Sequence, residues 1–399
     1  MLANPADELS LDTAERLTPG RMRALYVSYD GACEPLGESQ VVAYLLRLSA
    51  THDLTLISFE KEADPATVER VAARLAGAGV RWHPLRYHKR PRLLATSLDI
   101  LRGAIAVRRA DRRVPSEVVN ARSVVAAVIA LLGVPRDRAV VFDIRGFWSD
   151  ERAEAGFWRR GGLVDRSVRL CERLCYDRAA AIVTLTHASV PHIRARLRDG
   201  ERPIAVIPTC TDVTSYADTT PRPMGPHAVW VGSLGPWYRF DLAVRLTEVL
   251  GLPFTVLTRQ VGLAQAELGG RAADVRSVPA QCMTEELHAG DVGLCLIRAT
   301  FSKVASAPTR FAEYLAAGIP VVAIGGVGDL ERVITSRGVG VVISDEKPQA
   351  LRQAAEKIIS MAADPDVRER CREVARELYD ADQGAQEYAA LYRRLRHRA

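Results

Sequence analysis

Short apolar runs rich in Val and Ile alternate with stretches of helical periodicity along the chain. In the first half the runs are "RALYVS", "LTLISF", "EVVN", "AVVFDI", "AAIVTL" and "IAVI". In the second half they are "AVWVG", "FTVLT", "VRSVP", "DVGLCLI", "IPVVAI" and "VGVVIS". Strands alternating with helices predict α/β architecture, with parallel sheets covered on both faces. The rhythm breaks at residues 208–227, where four prolines and many Thr and Asp replace the apolar positions, so a domain boundary is expected there. The expected division is a loose tail at 1–20, a first doubly wound domain at 21–208, a linker at 209–226 and a second doubly wound domain at 227–380. A last helix over 381–399 carries Tyr388, Leu391, Tyr392 and Leu395 on one face and is able to pack back across the first domain. Ligands of such sheets bind beyond the carboxyl ends of the strands, which places function in the loops facing the gap between the domains.

The 399 residues are 48% hydrophobic and 26% charged, the makeup of a water-soluble globular protein. The longest apolar run, "SVVAAVIALLGV", falls short of the roughly 18 residues that a membrane span needs. The acidic N-terminus lacks the basic start and apolar core of a secretion signal, and the cytoplasm is the expected compartment. The seven cysteines are an odd, scattered set, read as thiols in a reducing compartment, with Cys171 and Cys175 sharing a helix face. No Cys-x-x-Cys pair or His-Glu-x-x-His occurs, so no metal site and no cofactor are expected. The formal charge of +6 is concentrated: residues 86–113 hold nine Lys and Arg against Asp99 and Asp111. That segment reads either as a solvated helix face or as a surface for an anionic acceptor or an anionic membrane, attached at the inner face. Nucleic acid is not expected, because no aromatic residues are interleaved with the charges.

The densest chemistry lies in "SKVASAPTRFAEYLAAGIPVV". Pro308 suits the first turn of a helix, and the open N–H groups of that turn, with Lys303 and Arg310 beside them, suit a phosphate or diphosphate. Ser306 belongs to the same loop. Thr309 and Glu313 share a face about 6 Å apart along the axis, comparable to the step from a phosphate to a ribose. From spacing alone, Glu313 is either a ribose ligand or a surface carboxylate.

"PTRFAEYLAAGIPVV" resembles the signature of the retaining glycosyltransferases of the family 4, group 1 type, which have the GT-B fold of two Rossmann-like domains facing across a cleft. In that family Glu-x7-Glu precedes a small-residue, Gly, Pro, Val sequence. The resemblance implies that Glu313 holds the ribose of a nucleoside-diphosphate sugar such as a UDP, GDP or dTDP sugar. It implies that Gly37 in "SYDGACEPLGESQ" lies under the donor diphosphate, and that Gly232 and Ser233 in "AVWVGSLGPWY" belong to the donor loop. "VIPTCTD" is similar to the family's crossing between domains. The implied activity is metal-independent transfer of a sugar to a hydroxyl acceptor, which is a glycan, a lipid-linked sugar or a natural product.

The chain departs from this pattern at identifiable positions. The family's first glutamate falls on Ala305, and its Arg and Lys pair in the donor loop falls on Ser233 and Tyr238. Lys303 and Arg310, with Arg239 third, are the expected replacement cations. Aligning strand ends puts Arg145 where the family has a histidine; an arginine holds a hydroxyl or braces the donor but does not act as a base. On the acceptor side Arg122 follows a strand and faces the cleft. Asp143, Asp150 and Glu151 are either acceptor-side groups or an ion pair and helix caps. His187 and His192 are weaker candidates for a base. Two other readings stay open: a non-catalytic relative acting as a binding subunit, and a dinucleotide oxidoreductase using the glycines of "VVAIGGVGDLERV", where Glu331 replaces the third glycine of the fingerprint.

Overall fold

The computed structural model describes residues 20–198, 201–217, 226–279 and 282–396. The expected tail, apart from Gly20, residues 218–225 of the expected linker and the last three residues lie outside them. The first sheet contains β1 (Met22–Ser28), β2 (His52–Glu60), β3 (Arg81–Arg86), β4 (Val118–Arg122), β5 (Ala139–Asp143), β6 (Ala181–Thr184) and β7 (Ile204–Val206). Its strand order is β3-β2-β1-β4-β5-β6-β7, and every pair is parallel. The second contains β8 (Ala228–Val231), β9 (Phe254–Leu257), β10 (Asp274–Arg276), β11 (Val292–Cys295), β12 (Val321–Ile324) and β13 (Gly340–Ile343). These follow the order β10-β9-β8-β11-β12-β13, again all parallel.

Strands sandwiched between helix layers bury both faces, which explains why β4, β5, β6, β8, β9 and β11 read as mostly apolar runs and why every residue of all six is buried. The edge strands β7 and β10 lack fully buried residues, and so does β3, "RWHPLR", which the hydrophobic pattern does not mark. It too is an edge strand, and it carries Pro84, which an edge tolerates. In both sheets the chain reverses its winding beside the first strand, at β1/β4 and at β8/β11. Those switch points open a crevice at the carboxyl ends, and the two crevices face each other.

One face of the first sheet is covered by helices 92–113, 124–133 and 163–178. The other is covered by helices 43–48 and 65–77 and by the last helix, Ala381–Arg396. The chain therefore crosses between domains twice, and the two crossings run side by side: Thr211 donates its N–H to Tyr379 and its carbonyl accepts from Ala381. The last helix buries Tyr388, Leu391, Tyr392 and Leu395 in the core of the first domain. Tyr388 donates its hydroxyl to Asp143 at 2.8 Å, beneath the carboxyl end of β5.

Other bonds hold the domains together near the cleft. Thr186 Oγ1 donates to the carbonyl of Val304 at 2.7 Å, and Asp329 accepts from the backbone N–H groups of His187 and Ala188. Phe147 and Phe301 stack at 5.2 Å between ring centroids. Replacing Tyr388 with Phe leaves one side of the buried Asp143 carboxylate without its donor. Stability is expected to fall by about 1–3 kcal/mol, read as a lower urea midpoint at unchanged m-value. An unshifted midpoint would show that the last helix does not depend on this bond.

Candidate functional site

A cavity of about 320 Å³ opens between the domains at the carboxyl ends of both sheets. The second domain contributes Tyr238, Lys303, Ser306, Thr309 and Arg310; the first contributes Leu36, Arg122, Arg145 and Glu151. Four of these lining side chains are cationic, and Glu151 is the one carboxylate among the described lining residues. The site therefore carries an excess of positive charge in a partly enclosed space, where a charge is felt more strongly than in water.

Arg310 is the centre of the second domain's wall. It is 9% exposed, its guanidinium carbon lies 4.6 Å from the ring centre of Tyr238 and 5.5 Å from that of Trp230, and its Nη1 has no hydrogen-bond partner. No ion pair reaches it among the described residues. The two aromatic faces hold the cation through their quadrupoles and leave its N–H groups uncommitted. Gly232 makes room for it: a Cβ at 232 would lie 2.3 Å from Arg310 Nη2, and the φ of +118° there is one that side chains resist. Arg310 sits in the first turn of the helix Thr309–Ala316, preceded by Pro308, and no side chain caps that turn. Its open N–H groups add to the positive field.

The other expected cations are committed elsewhere. Lys303 is buried, bonds Glu151 across the domain gap at 2.9 Å and lies 4.4 Å from the ring centre of Trp237. It is an interdomain bridge in this structure, neutralised by Glu151, which the sequence pattern alone places as a helix cap or acceptor group. Arg239 is bonded to both Asp241 and Glu346 and is no free replacement.

Glu313 follows Arg310 by one turn and accepts no hydrogen bond among the described residues. Part of it keeps contact with solvent while protein crowds its carboxyl, and burial pushes its pKa above the ordinary value, with Arg310 pulling the other way. Thr309 lines the cavity and Ser306 closes the turn before the helix, bonding its N–H to the carbonyl of Lys303. Ser233 is exposed beside Gly232 and is not among the cavity's lining residues. Gly37 allows a close approach, but to the protein's own backbone: a Cβ there would lie 1.8 Å from the carbonyl oxygen of Gly31. Ala305, at the position of the missing glutamate, is fully buried in the apolar core of the first domain.

In the first domain Arg122 and Arg145 stand at the ends of β4 and β5. Arg122 is 2% exposed, its Nε is 3.7 Å from Asp30, and neither Nε nor Nη1 makes a hydrogen bond among the described residues. Arg145 lies 3.4 Å from Asp143; burial is the largest single influence and disfavours its charge, but Asp143 together with Tyr388, Tyr44 and Tyr26 outweighs it and the pKa is raised. Asp143 is fully buried between Arg145 and Tyr388, so it braces Arg145 from below and is not among the residues lining the cavity. Asp150 also leaves the acceptor side. It is 2% exposed and holds Arg160, Arg169 and Arg196 at 2.8, 2.9 and 3.0 Å. Burial alone would raise its pKa, but the bonds from Arg169 and Arg160 hold it below the ordinary value. His187 begins a short turn at the domain contact, and His192 packs edge-on against Phe301.

The glycine loop after β12 does not form a dinucleotide site. A Cβ on Gly328 would lie 2.2 Å from the carbonyl oxygen of Ser306, and Asp329, at the start of the next helix, is taken up by the backbone of residues 187 and 188. The space a pyrophosphate would need is filled by the domain contact. Among the described residues no group of His, Cys, Asp and Glu is placed to hold a metal ion, and no helix is long and apolar enough to cross a membrane.

No protein-family model and no curated protein matches the chain. Solved structures do. The sucrose-phosphate synthase of Thermosynechococcus elongatus aligns with a TM-score of 0.68 at 14% identity, over 95% of this chain and 100% of that one. A glycosyltransferase of Rickettsia africae aligns with a TM-score of 0.67 at 11% identity, over 94% and 99%. Anabaena HepE, in complex with UDP and glucose, aligns with a TM-score of 0.62 at 12% identity, over 93% and 99%. At such identities the likeness is one of fold, and the fold is GT-B: two Rossmann-like domains facing across a cleft.

The fit of Gly232 beneath Arg310 generates a test. Gly232→Ala is expected to cost about 1–3 kcal/mol through backbone strain and displacement of the guanidinium. Chemical denaturation checks it, and wild-type stability in that variant would contradict the geometry.

Proposed function

We propose that the protein is a retaining glycosyltransferase that moves a sugar from a nucleoside diphosphate to a hydroxyl acceptor. The observation that carries this reading is Arg310, a buried cation that makes no ion pair among the described residues, lining the cleft of a GT-B fold at the start of a helix. The GT-B neighbours support sugar transfer in general, and HepE's complex with UDP and glucose supports a nucleotide-sugar donor. Arg310 and the open N–H groups of residues 309 and 310 would hold the diphosphate. Glu313, unbonded one turn further on, would accept hydrogen bonds from the ribose hydroxyls.

As the bond between the sugar's anomeric carbon and the leaving phosphate oxygen breaks, negative charge grows on the diphosphate, and stabilising it is the main electrostatic demand of the step. The acceptor hydroxyl attacks from the same face, and its proton passes to that departing oxygen, so the new bond keeps the donor's configuration and no protein base is required. Lys303 faces the same charge once Glu151 is drawn to the sugar's hydroxyls. Arg145, held by Asp143, and Arg122 would position donor and acceptor from the other wall. This reading assigns charge compensation to the chain's own cations and uses no metal, so turnover is expected to survive EDTA. The seven free thiols suit a reducing compartment, and we place the enzyme in the cytoplasm.

Ala305 favours a second reading, a subunit that binds a nucleotide sugar without turning it over. Its apolar surroundings have no room for the family's carboxylate. Product formation from a panel of UDP, GDP and dTDP sugars separates the two readings, because binding without turnover would leave only the second.

Glu313→Gln is expected to weaken UDP binding roughly 10- to 100-fold. In the parent protein, UDP affinity is expected to fall as pH drops through the Glu313 pKa, which burial holds above the ordinary glutamate value, because the carboxyl protonates there and loses its charge. The Gln variant should lack that step. Equal affinities and identical pH profiles would remove Glu313 from the site.

A further inference from the structure

The exposed apolar residues of the chain are concentrated in the first domain. Leu94, Leu98, Leu101 and Ile105 form a stripe along helix 92–113, spaced by four, three and four residues, with Leu94 72% exposed. Helix 163–178, on the same side of the sheet with helix 124–133 between them, presents Leu163, 83% exposed, and Leu170.

Charge on these helices is sorted by direction. Lys89, Arg90, Arg108 and Arg109 beside the first stripe, and Arg166 and Arg173 on the second helix, are exposed. The acids are turned inward. Asp99 is fully buried against Tyr29 and His88, Asp111 is buried against Ser116 and Arg138, and Asp165 and Glu172 are buried as well. A solvated protein face interleaves both signs; among the described residues of these two helices no acid is exposed, Asp177 being half-buried on Arg198, and what meets water is apolar side chains and cations with Ser97, Ser167 and Cys171 between them. That pairing matches a bilayer with anionic headgroups, where apolar side chains reach the acyl boundary and arginines spread to the phosphates.

The face also adjoins the cleft. Each helix follows a strand whose carboxyl end lies at the cleft, so the turns bearing Leu94 and Leu163 sit at that end. A smaller cavity of about 50 Å³, lined by Ser123, Val124 and Trp148, shares Arg145 and Glu151 with the main one.

We propose that helices 92–113 and 163–178 seat the protein on an anionic membrane, and that its hydroxyl acceptor is membrane-borne and enters from this side. The second half rests on the transferase reading; the first does not. Co-sedimentation without nucleotide tests the seating, using vesicles of phosphatidylglycerol and phosphatidylcholine in equal parts and vesicles of phosphatidylcholine alone. The protein is expected to sediment with the anionic vesicles at low salt, less at raised salt, and not with the neutral ones. The variant Leu94→Glu, Leu101→Glu, Leu163→Glu, shown folded by circular dichroism, is expected to lose at least about tenfold in vesicle affinity. Absence of binding to anionic vesicles, equal binding to neutral ones, or full binding by the variant would overturn the proposal. So would a stripe-dependent dimer in analytical ultracentrifugation without vesicle binding. Failure of UDP to bind would count against the transferase reading alone.

Discussion

Arg310 is a charge withdrawn from water that makes no ion pair among the described residues and meets the Glu313 carboxylate, one turn on, only through its field. Desolvating such a group costs several kcal/mol in real proteins, and each aromatic face returns only about 0.5–2 kcal/mol. Folding therefore leaves an electrostatic deficit at the cleft that a bound anion would repay. Much of the local structure serves to maintain that deficit. Gly232 has the one side chain that clears the guanidinium, Tyr238 and Trp230 hold it from below, and Pro308 starts the helix whose open N–H groups point the same way. A packing role for Arg310 would be met more cheaply by a neutral residue of similar length.

The same cleft depends on how the domains are joined. Two crossings run together at Thr211 and Asp380, and the last helix returns to the first domain, where Tyr388 holds Asp143 and Asp143 holds Arg145. The position of Arg145 at the cleft is thus set partly by residues at the far end of the chain. The Lys303–Glu151 bond spans the gap itself. A ligand able to compete for either partner would loosen or re-form that bridge, coupling occupancy of the cleft to the relative position of the domains.

The two-sheet architecture was legible because buried parallel strands write themselves as mostly apolar runs rich in Val and Ile. β3 was not, because an edge strand with Pro84 lacks that signature. Arg310 and Glu313 were visible as a helix start with a carboxylate one turn on. That neither makes an ion pair or side-chain hydrogen bond among the described residues was not, since it depends on what Asp241, Glu346 and Glu151 bind instead. Asp150 looked like an acceptor-side group because its three arginines come from distant positions, 160, 169 and 196, that no local pattern connects. Gly232 could have been tied to Arg310 only by knowing that the two loops touch. The surface of exposed leucines and arginines was half legible: the basic segment stood out by charge, whereas the inward turn of Asp99 and Asp111 required the fold.

The most direct measurement is thermal unfolding of the parent protein and Arg310→Met, each with and without saturating UDP. If the cation is kept unpaired for an anion, the unliganded variant is at least as stable as the parent, while the stabilisation by UDP disappears. A variant that is clearly destabilised without ligand yet still gains full stabilisation from UDP would show that Arg310 is a structural residue, and the account of the cleft would fail.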